Sequence, residues 1–496
     1  MTTGPVRVRL APSPTGTPHI GTARTAIFDW LIARKTSGQF ILRIEDTDQN
    51  RYVESSLGEI YESLRWLGLQ WDEGPEVGGP HEPYFQSQRL PLYQDAAQRL
   101  LESGHAFECY CTPERLDAMR NKQREQKLPP GYDGLCRTDD GRASAKAAAG
   151  DRSPVVRFRA PDEGETVVND FLRGEVRFEN NRIDDAVLLK SDGFPTYHLA
   201  VAVDDHAMQI THVLRGEEWL PSAPLHQRLY EALGYEPPIW VHTPLILSTD
   251  RSKLSKRHGA QSVLEYRDQG YLPDAVFNFL GLLGWSLDDK TEIISRDDFV
   301  RHFGLERLLK SPAVFNIEKL DWINAEYMRA LSPDDFVDVV TPWLEKPDAE
   351  GGLPSIVPRP LDREYSKRIV PLVQERVKLA SQAHEMMGFF YLPGGIEPAV
   401  EDLLGKAYAN DRTGAAAVLS EVLVLSEQAP DWQSNALLEA YRALADRLDV
   451  KFRDLAGMIR VAITGRSVSP PLTESMELLG RERCVLRLRE AVQLLQ

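Results

Sequence analysis

Arg9-Leu-Ala11-Pro12-Ser13-Pro14-Thr15-Gly16-Thr-Pro-His19-Ile-Gly21-Thr22-Ala-Arg24 is the stretch around which the rest of the chain is organised. A short β-type run, Val6 to Ala11, meets Pro12, Pro14 and Gly16, which forbid its continuation, and a helical pattern opens at Thr22. The reading is strand, tight turn, helix N-terminus. A helix start exposes unpaired N–H groups and the positive dipole end, so a glycine-bearing turn leading into one can receive phosphate oxygens, with His19 and Gly21 at the entrance. On these residues alone an ordinary β–α connection is the simpler account. A phosphate site needs a second, basic element elsewhere.

At 496 residues the chain is too long for one core and is expected to form roughly three to five units of about 100–200 residues each. Lys and Arg number 58 against 74 Asp and Glu, a net charge of −16, which argues against an indiscriminate polyanion or membrane-surface binder. Four cysteines fit a reducing compartment and exclude a disulfide framework. No basic-then-apolar leader precedes Val6, and the most apolar stretch, Ala275 to Trp285, is short and contains Asn278. The expectation is a soluble cytoplasmic protein without a membrane partner.

Outward from the opening turn, Thr22 to Arg34 carries Ala26, Ile27, Trp30 and Leu31 at helical spacing. A second strand, Phe40 to Ile44, ends in Glu45-Asp46-Thr47-Asp48, carboxylates at a strand's carboxyl end, where open α/β sheets collect ligands. Asp48 reads as a turn residue and N-cap for a helix from Glu54 to Leu67, and Glu45 as the functional candidate. Strand, helix, strand, helix predicts a βαβ unit and a mainly parallel sheet. Beyond a Gly-Pro-rich passage, Glu73 to Pro83, a helix is expected from about Leu90 to Ser103. Asp139 to Ser153 reads as a loose linker or surface loop, and Val155 to Phe158, Glu175 to Phe178 and Ala186 to Lys190 as β-like runs. Val201 to Asp205 continues as strand or helix into Asp204-Asp205-His206, read as caps and surface. Ile210 to Leu214 ends at Arg215-Gly216-Glu217-Glu218-Trp219, charge and an aromatic at a strand end, suited to a polar substrate with a ring system.

Cys109 and Cys111, one residue apart, and Cys136, with Tyr132 four positions before it, form a candidate zinc site. Thr138 stands where a histidine would complete Cys-X-His. Tyr132 could supply a phenolate oxygen or His105 could reach in. Three unligated thiols is the alternative.

The basic element lies at Arg251-Ser-Lys253-Leu-Ser255-Lys256-Arg257-His258. Two lysines three apart with serines between can swing onto a polyphosphate. Pro-His19-Ile-Gly21 after the Pro-Ser-Pro-Thr-Gly turn, with Lys253-Leu-Ser255-Lys256-Arg257, resembles the two signatures of class I aminoacyl-tRNA synthetases. Arg9 to Gly16, Arg43-Ile-Glu-Asp-Thr-Asp48, Pro195-Thr-Tyr-His198 and Arg215-Gly-Glu-Glu-Trp219 resemble segments of bacterial glutamyl-tRNA synthetases in their order. No Gly-X4-Gly-Lys-Ser/Thr loop competes as a nucleotide site.

The resemblance implies an α/β fold. A Rossmann-type parallel-sheet catalytic domain (1–84 and 200–250) holds an inserted acceptor-end-binding α/β domain (85–199). An all-α stem-contact domain with the basic loop (251–332) and an α-helical anticodon-binding region (333–496) follow, the last divisible near 390. It implies His19, Lys253 and Lys256 as catalytic residues stabilising charge on the α-phosphate and pyrophosphate. ATP would meet Thr15, His19, Gly21, Glu218, Trp219 and Lys256. Glutamate would meet Arg9, Ala11, Ser13, Glu45, Tyr197 and Arg215, with Arg9 and Arg215 on its side-chain carboxylate and Glu45 on its α-ammonium. Some relatives bind zinc through Cys-X-Cys with a later Cys-X-His, others through Tyr-X3-Cys, which maps onto Cys109, Cys111, Tyr132 and Cys136. The implied activity is ATP- and magnesium-dependent attachment of glutamate to tRNA(Glu), with tRNA(Gln) an open second acceptor, by a monomer. Glutaminyl-tRNA synthetase, a truncated enzyme modifying a tRNA base, and a non-catalytic tRNA-binding module are the rivals. Arg215-Gly-Glu-Glu, the helical residues after Pro360, and the intact His19, Lys253 and Lys256 weigh against them respectively. Arg376 is a candidate for anticodon reading.

Overall fold

The computed structural model describes residues 5–252, 254 and 261–496. In chain order residues 5–245 form strands β1 (Arg7–Leu10), β2 (Gln39–Leu42), β3 (Ala106–Cys109), β4 (Val155–Phe158), β5 (Glu165–Asp170), β6 (Gly174–Glu179), β7 (Val187–Leu189), β8 (His212–Gly216) and β9 (Ile239–Thr243). The helices among them are α1 (Ile20–Lys35), α2 (Glu54–Trp66), α3 (Leu90–Glu102), α4 (Pro113–Glu125), α5 (Asp139–Ala149), α6 (Tyr197–Ala207) and α7 (Ala223–Leu233).

β1 pairs in parallel with β2, Arg7 opposite Gln39 and Leu10 opposite Leu42, with α1 as the crossover. That helix buries Ala23, Ala26, Ile27, Phe28 and Leu31 and begins at Ile20, earlier than the expected Thr22. The reason is its cap: the His19 imidazole Nδ1 accepts the Gly21 N–H at 3.1 Å, satisfying a donor that a helix start leaves open. The Thr211 N–H donates to the Arg7 carbonyl (2.9 Å) and the Arg7 N–H to Thr211 Oγ1 (2.9 Å), setting β8 beside β1. β9 pairs in parallel with β8, and β5 in parallel with β9 at Asp170 opposite Trp240.

β5 is missing from the sequence-based strand list. It is the hairpin partner of β6, but the connecting Phe171-Leu172-Arg173 holds no Gly, Pro, Asn, Asp or Ser of its own, the turn residues Asp170 and Gly174 standing at its two ends. The Asp170 carboxylate holds that turn instead, accepting the Leu172 and Arg173 N–H groups at 3.0 and 2.9 Å. β3, β4 and β7 make a separate antiparallel sheet.

Two further expectations change, and one left open between strand and helix is decided. The linker at 139–153 is mostly helix α5: Thr138 Oγ1 accepts the Gly141 N–H (3.2 Å), the alanines favour the helix, and Ala145 is buried beside Phe107 and Cys109. Val201 to Asp205 is helical, within α6. The residue capping α2 is Val53, while Asp48 is exposed and precedes a short 3-10 turn at Gln49–Arg51.

The chain divides into two units, Met1–Tyr266 with Val276–Ile317, and Arg267–Ala275 with Glu318–Gln496. In the first, Phe279 meets Phe315 edge to face at 5.1 Å, both buried. The second is helical among its described residues. Leu437, Tyr441 and Leu444 are buried along Ser434–Arg447, and Leu488, Val492 and Leu495 along Arg481–Leu495. Pro470-Pro471 separates Phe452–Thr464 from Leu472–Leu479. Arg487 is buried there and donates to the carbonyls of Ile463 (2.7 Å), Phe389 (2.8 Å) and Leu392 (3.1 Å), tying the last helix to the ends of the helices Phe452–Thr464 and Ala383–Tyr391 and to the residue after the second. Trp322 is exposed and Arg376 sits on a surface 3-10 turn.

Candidate active site

The turn between β1 and α1 leaves Ser13, Thr15, Gly16 and His19 exposed and Ala11 half-buried. Because His19 Nδ1 accepts a backbone N–H, the proton of the neutral ring sits on Nε2, a donor aimed away from the cap. His19 also bridges Ser262, and the Val263 N–H donates to the Pro18 carbonyl (3.4 Å), so the chain just after the basic loop returns to this turn. Lys253 and Lys256 lie outside the described residues.

Arg9, from β1, and Arg43, just past β2, both reach Asp205 on α6. Arg9 Nε donates to Asp205 Oδ1 at 3.0 Å and Arg43 Nη1 to the same oxygen at 2.6 Å. Arg43 Nη2 meets Glu45 Oε1 at 3.2 Å. Asp204 accepts from Arg89 Nε (2.7 Å), Gln86 (2.9 Å) and Tyr93 (2.7 Å). Both aspartates are at most 1% exposed, so Asp204-Asp205 is the charged floor of the site rather than caps and surface. Their adjacency at the end of the apolar run Leu199 to Val203 was the available signal. Burial opposes every one of these charges. For Asp205 the two guanidiniums outweigh it and hold the carboxyl below the usual range. For Glu45 burial wins over Arg43 and Arg9 and pushes the carboxyl up. A cation brought to Glu45 would favour its charged form.

Arg215, at the carboxyl end of β8, is buried rather than paired with Glu217 on the surface. Glu217 instead meets Arg173. Arg215 Nη1 donates to the Tyr197 hydroxyl at 3.3 Å and to His226 Nδ1 at 3.2 Å, and Nε donates to His242 Nε2 at 2.9 Å. Its guanidinium carbon lies 4.9 Å over the Trp240 ring. Nη2 is buried with no hydrogen-bond partner among the described residues. A buried charged donor without a partner costs free energy, which an anion would recover. Tyr197 accepts from Arg215, so its own O–H proton is left to donate. Tyr197 lies close enough to Arg9, Glu45 and Arg215 to feel the charge of each, so these four gather at the carboxyl ends of β1, β2 and β8. Trp219 and Glu218, on a 3-10 turn after β8, are exposed, the indole 4.8 Å from the Tyr197 ring. His226, His242 and Asp170 went unread because nothing in their sequence surroundings marks them.

A second cluster lies between β3 and α5. The sulfurs of Cys109, Cys111 and Cys136 fall within 4.8 Å of one another. The Tyr132 hydroxyl is 3.3 Å from Cys111 Sγ and 3.5 Å from Cys109 Sγ, and accepts the Cys136 N–H at 2.9 Å. His105 is exposed and bonds Ser103 at 3.0 Å, so it is not a member, and Thr138 is spent as a cap. Burial pushes the Cys111 thiol up to about 12 and the Tyr132 hydroxyl up as well, whereas at Cys109 hydrogen bonds, that with Tyr132 first among them, outweigh burial and bring the thiol down. Arg157 stacks 4.2 Å over the Tyr132 ring.

Residues 5–322 match the family described as tRNA synthetases class I (E and Q), catalytic domain, and residues 335–492 match an anticodon binding domain. The chain is 50% identical over 491 residues to a glutamate–tRNA ligase of Dehalococcoides mccartyi (strain BAV1), covering 99% of this chain and 98% of that one. It is 44% identical to one from Pseudomonas aeruginosa (strain PAO1), covering 99% and 95%. A crystal structure of a glutamate tRNA ligase from Elizabethkingia meningosepticum, in complex with its amino acid, superposes with a TM-score of 0.85 at 34% identity, covering 99% of this chain and all of that one. No helix among the described residues is long and apolar enough to cross a membrane. Two buried arginines at the ends of parallel strands, a capped turn before the first helix and likeness to these relatives over nearly the whole chain lead to one conclusion: the chain belongs to the class I glutamate–tRNA ligases.

Proposed function

We propose that this chain activates L-glutamate with ATP and magnesium and transfers it to the 3′ end of tRNA(Glu) as a cytoplasmic monomer. The glutamate α-carboxylate attacks the ATP α-phosphorus, pyrophosphate leaves, and a terminal ribose hydroxyl of the tRNA then displaces AMP from glutamyl-adenylate. The observation that carries this reading is Arg215, buried with an unpartnered Nη2 beside Tyr197, in one pocket with Arg9 and Glu45. Arg9 and Arg215 take the side-chain carboxylate and Glu45 the α-ammonium, whose arrival offsets the cost of keeping Glu45 charged. Ser13 and Ala11 line the amino-acid side of the turn. Thr15, the Nε2 donor of His19, Gly21, Glu218 and Trp219 face ATP, with Lys253 and Lys256 on the phosphates. The pairing of His19 with Ser262, close after Lys256, supports this assignment. At Gly21 a Cβ would lie 2.9 Å from the His19 ring, so any larger residue disturbs the cap.

The cysteine cluster fits one structural Zn2+. Three thiolates and a phenolate give four anionic donors, and zinc would supply no chemistry there beyond locking β3 to the segment before α5. The division into catalytic halves 1–84 and 200–250, an acceptor-end insert 85–199, a stem-contact region 251–332 and an anticodon region 333–496 goes with this reading. So does anticodon reading by Arg376.

Glutamate-dependent exchange of pyrophosphate into ATP tests the reading. Exchange with glutamate, and not with glutamine, is expected; none with glutamate even when tRNA is present would sink it. Charging purified tRNA(Glu) and tRNA(Gln) side by side tests the acceptor, and glutamyl-tRNA(Gln) would add the second.

A further inference from the structure

Behind Arg215 lies a row of buried hydrogen bonds in which each proton position follows from the last. Arginine has only donors, so both ring nitrogens it touches, His242 Nε2 at 2.9 Å and His226 Nδ1 at 3.2 Å, must be unprotonated acceptors. A neutral His242 then carries its proton on Nδ1, which donates to Asp170 Oδ2 at 2.7 Å. A neutral His226 carries its proton on Nε2, which donates to His198 Nδ1 at 3.0 Å. Asp170, whose other oxygen holds the β5–β6 turn, also accepts the His242 backbone N–H at 3.0 Å, so the far end of the row is fixed to the sheet. His226 and His242 are wholly buried, and Asp170 and Arg215 nearly so. Burial and the nearby Arg215 charge press both rings toward the neutral form.

We propose that Asp170, His242 and His226 are positioning residues that fix the plane of the Arg215 guanidinium, spend its Nε and Nη1 donors, and leave the Nη2 edge for a side-chain carboxylate. This rests on reading Arg215 as the glutamate side-chain contact. Orientation is what discriminates here. A carboxylate can accept from fixed donors at both of its oxygens, whereas an amide accepts at one oxygen only and turns N–H donors toward the other donor groups, leaving buried groups unpaired. A freely rotating arginine would lose that distinction. If either ring were protonated, or held the other tautomer, an N–H would face an arginine N–H and turn the guanidinium away. Asp170 and the neutral rings therefore act on substrate choice through Arg215 without touching the substrate.

The experiment uses the full-length protein. Long-range 15N–1H NMR of the wild-type histidines at pH 7 is expected to find His242 protonated on Nδ1 alone. In pyrophosphate exchange, His242→Phe is expected to raise the glutamate KM about tenfold, the worth of one hydrogen bond to a charged group. The KM for ATP and kcat should stay within about twofold, and activation of glutamine relative to glutamate should rise. His242→Gln, whose amide oxygen accepts from Arg215 Nε, is expected to restore most of the glutamate KM. An imidazolium or an Nε2–H tautomer in the wild type overturns the proposal, and needs no variant to fold. So does an unchanged glutamate KM in His242→Phe when Arg215→Ala raises it strongly. An unchanged KM in Arg215→Ala instead overturns the reading of Arg215 itself, and the positioning role with it.

Discussion

The arginine pocket and the cysteine cluster are both built by bringing polar side chains from distant segments into a buried spot, yet they are unbalanced in opposite directions. In the pocket, Asp205, Asp204 and Glu45 face Arg9, Arg43 and Arg89; on the floor Asp205 Oδ2 and Arg43 Nε keep no hydrogen-bond partner among the described residues, and at the Arg215 end what remains over is a donor, Nη2. In the cluster, four groups that can become anions converge, with the guanidiniums of Arg157, stacked on the Tyr132 ring, of Arg115 and of Arg142 around them. A leftover donor asks for an anion and leftover acceptors ask for a cation. The difference teaches that the sign of a missing ligand can be read from which valence the fold fails to satisfy.

The strongest way to break this comparison is to unbalance the pocket. Arg43→Ala leaves Asp205 and Glu45 buried without a shared partner, and is expected to cost about 3–5 kcal/mol in unfolding free energy, read by denaturant titration. A loss below about 1 kcal/mol would mean the charges are solvated after all. On the phosphate side, Lys256→Ala is expected to lower the exchange rate by roughly 10²–10³ with the fold intact. Wild-type exchange in that variant contradicts its assignment. Arg215→Ala should raise the glutamate KM by about 10²-fold while the KM for ATP holds, because it removes a charge-assisted contact and strands the carboxylate. On the cluster side, metal analysis is expected to find one zinc per chain, lost in Cys136→Ala. Zinc retained in that variant would remove the cluster from the comparison. The smallest effect is a pH slope. Burial lowers the His198 ring to about 4 and holds His226 far below its usual value. The unfolded chain takes up those protons first, so the neutral rings contribute full stability above about pH 6.5 and lose it as pH falls toward 4. The slope is up to ~1.4 kcal/mol per pH unit per ring, and a flat stability curve between pH 7 and 5 would show the rings to be charged in the fold.

How far the chain could be read beforehand depended on whether a residue's role was local. The opening turn was legible because prolines, a glycine and a helix start impose their geometry within a few residues. Arg9, Glu45, Tyr197 and Arg215 were legible through ordered segments resembling one family. Helix α5 was misread because polar alanine-rich sequence serves loops and helices alike, and only the Thr138 cap and the burial of Ala145 decide between them. Strand β5 was missed because a side chain, Asp170, closes its turn.

By itself the sequence determined the βαβ opening, the absence of a disulfide framework, the two basic and turn signatures and the helical character of the last third, all consequences of short-range backbone preference and composition. Only the tertiary structure decided that Asp204 and Asp205 are the floor of the pocket, and that His242 and His226 orient Arg215. It also decided that Tyr132 rather than His105 joins the three thiols. Those facts depend on which distant segments meet and what is left unpaired when water is excluded. Hydrogen bonds between residues such as Asp170 and His242 leave no periodic trace along the chain.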